Sequence, residues 1–253
     1  MATGTATDAP GEVVTAAMLV IGDEILSGRT KDKNIGYVAD YLTAIGIDLL
    51  EVRVVPDVTE RIVEAVNALR PRYTYVFTSG GIGPTHDDIT ADAIALAFGV
   101  SIDVDPRAVA MMSERFPDQQ LTPARLRMAR IPAGADLIAN PVSKAPGFRI
   151  GNVHVMAGVP AIMQAMLDQV APKLKTGRVM LAETVRADAR EGDVGGPLAA
   201  IAKAHPGVSI GSYPFADEHG RPNTNLVVRS REAGLLAAAV ADVTAMLATL
   251  PRR

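Results

Sequence analysis

"FTSGGIGPTHDDIT" (residues 77–90) is the stretch on which the reading of this chain turns. An apolar strand runs into three glycines, a proline and two adjacent aspartates, and a helical pattern starts directly afterwards. A bare tight turn needs one or two glycines and a helix N-terminus needs one capping acid. This loop has more of both than a connection requires, so it is a candidate site. Its glycines, Gly80, Gly81 and Gly83, allow positive φ and close approach of a ligand to the backbone, and successive N–H groups in such a turn can cradle an anion. Asp87 or Asp88 is placed to cap the following helix.

Working outward, "VVTAAMLVIG" (13–22) is a continuous apolar run ending in glycine, the pattern of a strand buried on both faces. Helical periodicity follows over 34–46, a strand over 47–55, a helix over 58–70, a strand over 73–78 and a helix over 88–99. "PRAVAMMSERF" (106–116) and "TPARLRMARIP" (122–132) read as a helical excursion with a turn at Pro117. "ADLIAN" (135–140) and "NVHVMAG" (152–158) read as further strands, and 161–174 as a helix. This alternation predicts an α/β fold with a three-layer, mostly parallel sheet and helices on both faces, over residues 14–175. Beyond it the order becomes β-α-β-β-α, a small α+β subdomain over 176–253. Residues 1–13 read as a short polar tail, with neither the basic nor the apolar region of a signal peptide.

Composition narrows the function. Hydrophobic residues make up 48% of the 253, enough for a large core, and with no Trp and 4% aromatics that core must be aliphatic. A net charge of −3 gives no electrostatic footprint for nucleic acid. No apolar run approaches the length of a membrane span. The absence of cysteine excludes disulfides, thiolate nucleophiles and Cys-ligated zinc, which is consistent with a cytoplasmic protein.

In an open parallel sheet, ligands bind beyond the carboxyl ends of the strands. There the sequence places Gly22, Asp23 and Glu24; Asp57; Ser79, Gly80, Gly81, Gly83, Pro84, Thr85, Asp87 and Asp88; and Ser143 and Lys144. The loop is neither a Walker P-loop, lacking its Lys, nor a Rossmann fingerprint, lacking the third Gly. Convergent carboxylates without Cys or clustered His suit a hard cation such as Mg²⁺, shared with phosphate oxygens; the candidate ligands are Asp57, Asp87 and Asp88, with Glu24 as a further candidate. For Asp57, capping of the next helix is the competing reading. For Asp23 and Glu24 it is a solvated loop. His154 alternates with Val153 and Val155 as a strand residue, and Met163 and Met166 sit at helical spacing as core.

"LVIGDEILSGRTKDKN", "VVPDVTERI", "TSGGIGPTHDDIT" and "NPVSKAPGF", in that order, resemble the MoaB/Mog molybdopterin-binding domain, in the branch containing the N-terminal domain of CinA (competence/damage-inducible protein A). The resemblance covers roughly residues 14–175. It implies a molybdopterin or nucleotide phosphate ester as ligand, with Mg²⁺ or another divalent cation, and functional acids at Asp57 and Asp88. It also implies pyrophosphate chemistry: adenylylation of molybdopterin or metal insertion in one branch, metal-dependent cleavage of ADP-ribose in the CinA-like one. A non-catalytic binding module with the same residues is the alternative. Relatives of this fold often form dimers or trimers, so the resemblance implies a homo-oligomer. "GVP" at 158–160 and Lys144 depart from the family pattern and leave the substrate open.

Overall fold

The computed structural model describes residues 13–115 and 121–250. The expected N-terminal tail, apart from Val13, and the turn at Pro117 lie outside these residues. The chain forms two compact units, meeting in sequence at Gly177 and Arg178.

In the first unit the strands are β1 (Val14–Ile21), β2 (Ile47–Val55), β3 (Tyr75–Ser79), β6 (Asp136–Ile138), β7 (Gly147–Ile150) and β8 (Val153–Met156), ordered β2-β1-β3-β8-β7-β6 in one sheet. The first four in that order are mutually parallel, and β7 runs against both of its neighbours. The apolar run of β1 is explained by its central place, with seven of its eight residues buried. Alternate residues serve opposite faces. Ala17, Leu19 and Ile21 pack with Ile62, Val66 and Leu69 of α3 (Thr59–Leu69) and with Ala93 and Ile94 of α4 (Thr90–Phe98). Ala16, Met18 and Val20 pack with Val38 and Leu42 of α2 (Asn34–Ala44) and with Met163, Met166 and Leu167 of α7 (Pro160–Val170). This is the three-layer arrangement expected. At the outer strand, the β1–β2 register shifts between Ala16 and Ala17, which leaves Leu50 out of the ladder and 62% exposed.

Three short pieces differ from the sequence reading. Residues 23–26 form one helical turn, α1 (Asp23–Leu26). The second half of the helical excursion does not continue as helix: α6 (Pro123–Arg127) ends, and β5 (Arg130–Pro132) pairs antiparallel with β4 (Ile102–Val104). Pro132 cannot extend a helix, and Ile131 is 5% exposed beneath this ribbon. β7 was not expected as a strand; it forms a hairpin with β8 through Gly151 at φ 56°. Between these pieces, α5 (Pro106–Ser113) and α6 each begin at a proline preceded by a capping residue, Asp105 and Thr122.

The second unit is β9 (Leu181–Arg186), α8 (Glu191–Ala204), β10 (Ser209–Ala216), β11 (Pro222–Ser230) and α9 (Ala233–Ala248). Its antiparallel sheet, β10-β11-β9, packs Leu226 and Val228 against Val194, Leu198, Leu236, Ala239 and Val243 of the two helices. No helix among the described residues is long and apolar enough to cross a membrane.

Candidate functional site

The carboxyl ends of β1, β2, β3 and β8 meet at one edge, tied by backbone bonds. Gly22 N–H donates to Val55 O (3.1 Å), and Gly80 N–H donates to Met156 O (3.2 Å). The loop after β3 crosses this edge at close quarters. Gly80 stands at φ 111°, and a Cβ there would lie 2.1 Å from Ile21 O; Gly81 stands at φ 67°, and a Cβ there would lie 2.1 Å from Thr90 Oγ1. Both positions therefore require glycine, for conformation and for space. Thr90 fastens the loop to α4, its Oγ1 donating to Gly80 O and its N–H to Gly81 O, each 3.0 Å.

Neither aspartate of the loop caps α4. The residue before Thr90 is Ile89, and no side chain bonds the first turn. Asp88 turns back instead: it accepts from Gly83 N–H (2.6 Å), Thr85 N–H (2.8 Å) and Thr85 Oγ1–H (2.5 Å). Of the expected anion cradle, Gly83 N–H is thus held by the chain's own carboxylate and Gly80 N–H by Met156 O. Among the described residues, Gly81 and Ile82 N–H carry no hydrogen bond. Asp57 does not cap α3 either, where Val58 holds the cap position without a side-chain bond. Its Oδ2 accepts from Asp23 N–H across the strand ends (3.0 Å), and its Oδ1 lies 3.6 Å from where a Gly81 Cβ would stand. Burial, the largest cause, raises the Asp57 pKa above the ordinary carboxylate value; the Asp23 N–H opposes this, and the charges of Asp23, Glu24 and Asp87 add to it.

Beside this edge opens a cavity of about 520 Å³. It is lined by Glu24, Gly80, Gly81, Gly83, Pro84, Asp88 and Ser143 among the residues expected from sequence. Ser79 is buried and does not line it, accepting from Asn34 Nδ2 (2.8 Å). Gly22, Asp23, Asp57, Thr85 and Asp87 stand outside its wall. Lys144 is turned away: at φ 66° it places its Nζ on Glu114 (2.9 Å). His86 is 98% exposed. No three acidic or His side chains among the described residues form a ready metal cluster. The oxygen donors suit Mg²⁺ only in its usual mode, one or two carboxylates completed by ligand phosphate and water.

Sequence reasoning missed three polar residues here. Asn34 is 4% exposed; its Nδ2 bridges Ser79 Oγ and Gly158 O, both at 2.8 Å, while its Oδ1 has no partner. Asn140 lines the cavity and folds the segment around Ser143, accepting at Oδ1 from Val142 and Ser143 N–H (3.1 Å each). Arg127 donates to Asp88 O (3.4 Å), and its buried Nε is unpartnered. The available signal for Asn34 was an amide opening an apolar helix; Arg127 lies in the segment read as plain helix.

A family model described as a probable molybdopterin binding domain matches residues 17–176, and one described as the middle domain of FAD synthase matches 179–250. A protein of Aeropyrum pernix is 32% identical over 235 residues, spanning 87% of this chain and 86% of its own length. A CinA-like protein of Citrifermentans bemidjiense is 42% identical over 170 residues, 64% of this chain but 41% of its own. The crystal structure of CinA from Thermoplasma acidophilum, 34% identical, superposes with a TM-score of 0.60 over 64% of this chain and 98% of that one. The glycine loop, the strand-end acids and these matches converge: the chain belongs to the molybdopterin-binding domain family, of MoaB/Mog type and CinA-like.

Proposed function

We propose that the chain binds a pterin or nucleotide phosphate ester at the strand edge, with a divalent cation, and acts on its pyrophosphate. The observation that carries this reading is Asp57. It is a half-buried carboxylate whose pKa is raised by burial first, with the charges of Asp23, Glu24 and Asp87 adding to it, and it is set against Gly81 of the cavity wall. A desolvated carboxylate is what a cation relieves, and perturbed carboxylates at a cleft mark functional sites. The ligand's phosphate fits the unpaired amides of Gly81 and Ile82, and its ring fits the apolar wall formed by Val159, Ile162 and Met166. A cation such as Mg²⁺, on Asp57 and the phosphate oxygens, would supply charge neutralisation there. Asp57 orients the ligand's phosphate side and can hold a proton; Asp88 keeps the loop in shape.

The test is AMP release from ADP-ribose, run beside a thermal-shift series with pterin phosphates and ADP-ribose, each with and without Mg²⁺. Turnover that stops with chelator and in Asp57→Asn supports pyrophosphate cleavage. A metal-dependent rise in Tm with pterins and no turnover reduces the reading to binding. Wild-type protein inert to every ligand and metal sinks it.

A further inference from the structure

The segment from α6 to β5 brings two arginines to the back of the glycine loop, and only one of them meets an acid. Arg130 holds Asp92 of α4 through two bonds of 2.7 Å. Arg127, the last residue of α6, is half-buried, and among the described residues no carboxylate lies within ion-pair distance of it. Its one hydrogen bond there is the long one to the Asp88 carbonyl (3.4 Å), and its Nε is closed off from solvent. The Asp88 carboxylate is engaged instead with Gly83 and Thr85. A guanidinium keeps its charge, and withdrawing one from water is costly unless a counter-charge answers it. Arg127 and the loop line a void of about 10 Å³, at the limit of what one water occupies, so little solvent screens the charge. Gly81 and Ile82, whose amides carry no hydrogen bond, line both this void and the 520 Å³ cavity. The loop is thus a thin wall with an unanswered cation behind it and free amides along it.

We propose that Arg127 is a positioning residue for the ligand's anionic group: through the wall of the glycine loop it supplies the positive charge that a phosphate or pyrophosphate on the Gly81 and Ile82 amides answers. This rests on the phosphate-ester reading of the strand-edge site, and adds that the site selects its ligand by negative charge. Attraction between unlike charges acts across the thickness of a loop without contact, and it is strongest where water is excluded. The guanidinium is in place before the ligand arrives, so none of this attraction is spent on ordering it.

The full-length wild type, Arg127→Gln and Arg127→Lys are titrated calorimetrically with ADP-ribose and with inorganic pyrophosphate, each with Mg²⁺, and are melted without ligand. Arg127→Gln should weaken both ligands by about tenfold, the order of one charge–charge attraction at such a distance. Arg127→Lys keeps the charge and should keep most of the affinity. Without ligand, Arg127→Gln should melt no lower than the wild type, because it removes an unanswered charge from a half-buried place. Undiminished affinity in Arg127→Gln overturns the role of Arg127 and leaves the phosphate reading standing. Wild-type protein that takes up neither ligand overturns both. A ligand-free Tm that falls in both variants, with affinity lost equally in both, makes the guanidinium structural and also overturns the proposal.

Discussion

A carboxylate beside the first turn of a helix has two uses open to it: it can cap that helix or close the loop before it. Asp88 closes the loop, with three donors from Gly83 and Thr85. Asp88→Ala should therefore cost about 1–2 kcal/mol in chemical denaturation by freeing those donors, and should loosen the ligand site without unfolding the chain. Asp57 behaves in the opposite sense. Its folded pKa lies above the ordinary value of 3.8, so its contribution to stability is greatest at acid pH and is lost as pH rises through the folded pKa. Asp57→Asn keeps an acceptor for Asp23 N–H and removes the repulsion. Its Tm at neutral pH should equal or exceed that of the wild type, while metal-dependent activity falls; a clear drop in Tm would assign Asp57 a structural role instead. Gly80→Ala combines a positive φ with a clash on Ile21 O and should cost about 3 kcal/mol.

At the scale of elements, β8 carries its own pH signature. An imidazole titrates near 6.5 when unfolded, but His154, on β8, titrates at about 4. Between these values the unfolded chain binds a proton that the folded chain refuses. Stability should therefore fall on the order of 3 kcal/mol as pH drops from 6.5 to 4. A series of urea melts in that window checks this, and His154→Phe should flatten the slope. The long elements were legible because their patterns repeat: β1 is apolar at every position but Thr15, and α3 and α7 bury residues at helical spacing. The ribbon of β4 and β5 was not, since three residues per strand give no period to read and its pairing joins residues about thirty apart. The site was half legible. Glycine need at 80 and 81 follows from composition of the loop, but the partner of each acid depends on which strand end lies alongside. For that reason Asp57 reaching Asp23, Lys144 turning to Glu114, and Asn34 bridging Ser79 to Gly158 all required the fold.

At the scale of the molecule, each unit has a core of its own: two aliphatic layers about the parallel sheet in one, and the face of β9–β11 under α8 and α9 in the other. A fragment of residues 13–177 should fold alone, with cooperative unfolding and the full chain's ligand-induced shift in Tm; loss of cooperativity would show that the first unit depends on the second. Among the described residues, β2 is an edge strand of the sheet. There Leu50 interrupts the ladder, and Glu51 gathers Arg53, Arg72 and the Tyr73 hydroxyl around itself. An incoming strand from another chain would meet a ladder out of register at Leu50 and the charges around Glu51, two devices that discourage edge-to-edge pairing.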